Sequence, residues 1–151
     1  PPRWWRLMGL SSLFMVITQC VVGGLMATTW SSQRCLLHEG NCQLLDLHRI
    51  SAMPVALVLL TFVVTSIVVG GWSRTQWPFL SGVIFLLIIQ VGLGITSVRM
   101  GLSEPVVTVG HQLVAAILVA LLAALSSRRP DPLEPKVSEI VNESILEACH
   151  G

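Results

Sequence analysis

Residues 106–125, V-V-T-V-G-H-Q-L-V-A-A-I-L-V-A-L-L-A-A-L, form a run of 20 residues whose only titratable side chain is His111. Lipid offers a backbone no hydrogen-bond partners, so a segment this apolar crosses a bilayer core of about 30 Å as a helix of about 20 residues. Three more stretches read the same way: Leu7 to Thr28, Leu44 to Val69 and Phe79 to Val98. Between them they take up most of the 151 residues, of which 53% are apolar and 11% charged. An ordinary soluble domain carries about 25% charged residues. The short connections make neighbours antiparallel, and the expectation is an all-α, integral membrane four-helix bundle in up-down-up-down order.

The charges orient it. Lys and Arg collect on the cytoplasmic side of short loops. Arg3 and Arg6 precede the first span, Arg74 separates the second from the third, and Arg128, Arg129 and Lys136 follow the fourth. Arg34 and Arg99 fall on the other side, with Arg49 just inside the second span. Both termini are therefore expected in the cytoplasm, with the loops around 29–43 and 99–105 outside. Trp4, Trp5, Trp30, Trp72 and Trp77 fall at span ends, where an interfacial belt accounts for all five. The first span is too long for a secretory signal core and is read as a retained helix. A net charge of +1 supplies no basic face for nucleic acid.

Residues 1–126 make the transmembrane domain, and 127–151 a cytoplasmic tail. Pro130, Pro132 and Pro135 interrupt any helix there. Beyond them, Val137, Ile140, Val141, Ile145 and Ala148 share one face of a short amphipathic helix, and Glu139, Glu143 and Glu147 another. That acidity argues against an anionic lipid surface, leaving docking on a protein partner or a frayed end.

Titratable residues within spans are costly and mark candidate sites. They are Asp46, His48 and Arg49 at the head of the second span, and His111 in the fourth. Both spans run from outside to inside, and each histidine lies about one turn in, so the two imidazoles share a depth of about 6–8 Å. Rings at one level on parallel helices suit the two axial positions of a haem iron. Ala52 and Ala115, each four residues further on, leave room for a macrocycle, while Arg49 and Arg99 suit its propionates. Hydrogen bonding between helices, or single-histidine ligation of a chlorophyll-type tetrapyrrole, are the alternatives. Gly23, Gly24, Gly92 and Gly94 permit close approach of another helix or of a flat ligand.

Cys35 and Cys42 share one outer loop with six residues between them, consistent with a structural disulfide. Closing so small a loop is worth about 2.5 kcal/mol in the chain-entropy model. A redox role is the competing use, and with quinone chemistry it would make the chain a thiol oxidoreductase. His38 lies between the pair, while Cys20, Cys149 and His150 have no evident role.

Taken in order, V-V-G-G-L-M-A-T-T at 21–29, Cys35 and Cys42, L-H-R-I at 47–50, Q-V-G-L-G at 90–94 and V-G-H-Q-L at 109–113 resemble one four-helix half of the haem A synthases, over about residues 7–126. The resemblance implies a haem b or haem O/A held by His48 and His111, an outer disulfide, and oxidation of a methyl group of haem O to the formyl of haem A. It also implies an energy-transducing membrane, a prokaryotic plasma membrane or its equivalent. Full-size members fuse two halves; a single half is expected to act as a homodimer or within a larger membrane complex. The catalytic half of the family has Glu three residues before its first ligand histidine, where this chain has Leu45. Asp46 is the nearest carboxylate, about 100° further round the helix and placed to pair with Arg49. The missing Glu also admits a non-catalytic reading, a tetrapyrrole-binding or assembly subunit of a larger complex.

Overall fold

A computed structural model describes residues 2–26, 43–100 and 104–128, apart from the side chain of residue 72. The Cys35–Cys42 pair, Trp30, Arg34, His38, Arg129 and the tail through His150 lie outside the described residues. Every regular element among those described is helical: α1 Arg3–Met26, α2 Gln43–Val69, a 3-10 turn Gly71–Gln76, α3 Trp77–Arg99 and α4 Pro105–Ser127. Among the described residues, four helices are long and apolar enough to cross a membrane.

The ends differ from the expected spans by a few residues, and each difference has a local cause. α1 starts at Arg3 instead of Leu7, because Trp4 and Trp5 are drawn into the bundle. Pro78 and Pro105 each lie in the first turn of a helix, where the missing N–H costs nothing. Between α2 and α3, Gly70 and Gly71 both have φ of 65°, a left-handed pair that turns the chain where side chains are disfavoured. The Ser73 hydroxyl bonds back to the carbonyls of Ser66 and Gly70 and ties this turn to the end of α2.

α1 packs against α2 and α4, and α3 packs chiefly against α4, so α2 and α4 lie diagonally across the bundle. The start of α1 meets the ends of α2 and α4: Trp5 lies 5.0 Å from Phe62 between ring centroids, and its indole N–H donates to the Leu125 carbonyl at 3.2 Å. That carbonyl is in the last turn of α4, where no further helical N–H is available to it.

The buried apolar core gathers at this end. It comprises Trp5 and Val16 of α1, Leu59, Phe62 and Val63 of α2, Leu80 and Val83 of α3, and Leu118, Leu122 and Leu125 of α4. Trp5 is 0% exposed, which corrects its assignment to an interfacial belt. An indole suits either place, since both offer apolar contact and a polar partner for its N–H. Trp77 is exposed, as a belt residue would be, and Trp4 is half-buried against Trp5. Arg128 stacks over Phe79 at 3.8 Å, joining the end of α4 to the start of α3.

Candidate functional site

At the other end of the bundle the interior is occupied by the two histidines. His48 is in the second turn of α2 and His111 in the second turn of α4. Because these helices are diagonal, the rings approach across the centre, with centroids 6.4 Å apart and planes at 79°. Both are partly buried, and Nδ1 of each is enclosed without a hydrogen-bond partner.

Each imidazole rests against a glycine of an adjacent helix. A Cβ built on Gly23 of α1 would come within 3.0 Å of His48 Cε1, and one on Gly94 of α3 within 3.2 Å of His111 Cε1. Gly24 and Gly92, also singled out in the sequence, would meet nothing within 4 Å. Only one glycine of each pair is therefore committed to a ring.

A glutamine stands one turn before each of those two glycines. Gln19 Nε2 donates to the His48 carbonyl at 2.6 Å, and its Oε1 lies 2.7 Å from the Ser51 hydroxyl. Gln90 Nε2 lies 3.2 Å from His111 Nε2, and its own Oε1 is buried without a partner. Gln19 thus grips the backbone of α2, whereas Gln90 touches the imidazole itself. Gln19 escaped the sequence reading, and Gln90 entered it only as the first residue of Q-V-G-L-G without a role of its own, because both are neutral. The available signal was the repeat of Q-x-x-x-G at 19–23 and 90–94, each on the helix before a histidine helix.

The other site candidates are less closely held. Asp46, Arg49, Ala52 and Arg99 are exposed, while Leu45 and Ala115 are half-buried. Among the described residues, no three or more His, Cys, Asp or Glu cluster so as to hold a metal ion. Two imidazoles are fewer donors than the four of a usual bare-ion site. A tetrapyrrole brings four nitrogens of its own and needs only axial ligands from the protein.

The spacing also suits that role. With metal–imidazole bonds of about 2.0 Å and about 1.1 Å from each ring nitrogen to its ring centre, two axial imidazoles have centroids about 6.2 Å apart, against the 6.4 Å between these rings. No protein-family model, curated protein or solved structure matches the chain.

Proposed function

We propose that this chain is a haem-binding membrane protein of the haem A synthase type, with His48 and His111 as axial ligands. In this reading it takes part in oxidising a methyl group of haem O to the formyl of haem A. The 6.4 Å separation of two imidazoles on diagonal helices is the observation that carries it. Gly23 and Gly94 support it by leaving the rings space that a Cβ would fill, and so do the Nδ1 atoms of the two rings, both enclosed without a hydrogen-bond partner.

When bound, such a haem supplies one-electron chemistry at the iron. The residues of the chain hold and orient it. His48 and His111 provide the ligand nitrogens, Gln19 fixes the turn of α2 that carries His48, and Gly23 and Gly94 set how closely the rings lie to their neighbouring helices. Arg49 and Arg99, exposed at the same end of the bundle, are the cations among the described residues that propionates would meet. In this reading the histidine end faces outward and both termini lie in the cytoplasm, an orientation that the distribution of Lys and Arg supports, and the resemblance adds an energy-transducing membrane. A homodimer would give the single half the second haem site that full-size members carry.

One observation favours a second reading, in which the protein binds a tetrapyrrole as a subunit of a larger complex without turning it over. Leu45, where the resemblance calls for Glu, is half-buried and aliphatic, and Asp46 is exposed.

An optical spectrum of the purified protein, with pigment extraction and mass measurement, tests both readings. The synthase reading expects a six-coordinate low-spin haem and hydroxylated or formyl product in a host making haem O. Bound haem without product leaves the subunit reading; no bound tetrapyrrole removes both.

A further inference from the structure

His111 and Gln90 contain two complementary groups without partners. The Nε2 lone pair of His111 accepts the Gln90 amide N–H, so in the neutral ring the proton sits on Nδ1. That Nδ1–H is buried with no acceptor, and Gln90 Oε1 is buried with no donor. A buried polar group without a partner costs about 1–3 kcal/mol, and here a donor and an acceptor from one contacting pair are both unsatisfied.

We propose that Gln90 is the positioning residue for His111 as an axial ligand, exchanging one ring nitrogen for the other when haem binds. The inference rests on the haem reading above. An iron at Nε2 needs the lone pair that Gln90 now occupies, so the amide is released. Turned about its side-chain torsions, it presents Oε1 to Nδ1–H and satisfies both groups. No proton leaves the ring; the Nε2 electron pair passes from the amide N–H to the metal. Ligand histidines regularly donate their second N–H to such an acceptor, which fixes the ring and raises its basicity.

His48 has no equivalent. Gln19 is engaged through Nε2 with the His48 carbonyl and through Oε1 with Ser51. His48 Nδ1 is enclosed without a partner, and the glutamine nearest it is already in use. The two ligands are therefore unequal. His111, supported by Gln90, is the stronger donor and anchors the haem; His48 is the weaker and more easily released.

The test uses the full chain purified with its haem, reading haem affinity and midpoint potential. Gln90→Leu keeps the bulk and removes the acceptor. It should weaken haem retention about 10- to 100-fold, the usual range for an outer partner of a ligand histidine, and raise the potential. Gln90→Glu keeps an acceptor and should retain haem and lower the potential. Trp5→Phe, which loosens the opposite end, should leave the potential alone. His48→Ala should keep a five-coordinate haem on His111, while His111→Ala loses it. An unchanged potential and affinity in Gln90→Leu, or equal haem loss from the two histidine variants, overturns the proposal while the haem site stands. A parent chain that takes up no tetrapyrrole overturns the proposal together with the haem reading.

Discussion

The two ends of the bundle use the same helices for different ends. Around Trp5 and Phe62, large side chains from all four helices meet with no exposed surface, and edge-to-face ring contact adds about 0.5–1.5 kcal/mol beyond area burial. Around His48 and His111, the inward positions carry imidazole, amide and glycine, while Ile50 and Val106 on the outward faces are 74% and 80% exposed. Lipid tails are as apolar as leucine, so helices in a membrane associate through close packing and hydrogen bonds more than through hydrophobic burial. The Trp5 end supplies that packing. It allows the histidine end to place polar groups in the interior without having to hold the bundle together.

That division is broken most directly by removing the rings. His48→Ala and His111→Ala should each abolish the six-coordinate haem spectrum while leaving helical content by circular dichroism near the parental value, since neither residue belongs to the buried core. Collapse of the helices in either variant would show that the two ends are not separable. The reciprocal change acts on stability. Phe62→Ala removes a ring that is 0% exposed and should cost about 3–5 kcal/mol, read from unfolding in detergent, with haem lost only as the fold is lost. Loss of haem well before loss of helicity would instead mean that the Trp5 end positions the site as well as supporting it.

The sequence revealed these two ends unequally. Four spans were legible because lipid demands unbroken apolar runs, and a turn such as Gly70–Gly71 shifts their ends by only a few residues. The common depth of His48 and His111 could be counted from span starts, since helix rise is fixed at 1.5 Å per residue. Their position on diagonal helices could not, because it depends on which helices pack side by side. Trp5 was misread because composition alone does not distinguish a belt indole from a core one. Gln19 was passed over and Gln90 was quoted without a role for a similar reason: a neutral amide signals nothing until its partner is known.

Smaller substitutions sharpen the comparison within the histidine end. Gly23→Ala brings a methyl group within 3.0 Å of His48 Cε1, and Gly94→Ala one within 3.2 Å of His111 Cε1. Overpacking of this kind costs about 1–3 kcal/mol, and here the ring is the part free to move. Each change should shift the Soret band and weaken haem retention. Gly24→Ala and Gly92→Ala, which meet nothing within 4 Å, should leave both unaltered. Equal effects from all four would mean that the glycines serve helix flexibility and not the imidazoles.

The smallest expected effect is at Gln19. Its amide bonds the His48 carbonyl at 2.6 Å and pairs with Ser51 at 2.7 Å, so Gln19→Leu removes two contacts between α1 and α2. Ser51 loses little, because its hydroxyl also lies 2.6 Å from the Leu47 carbonyl within its own helix. The His48 carbonyl belongs to the first turns of α2, where its helical acceptor role is already open to Ala52. The net loss should be about 1 kcal/mol of stability, the usual worth of one intramolecular hydrogen bond, measured against the parent in the same detergent. A loss several times larger would make the Gln19 contact a main fastening of the histidine end, and its looser packing would then be held by amides where the Trp5 end is held by rings.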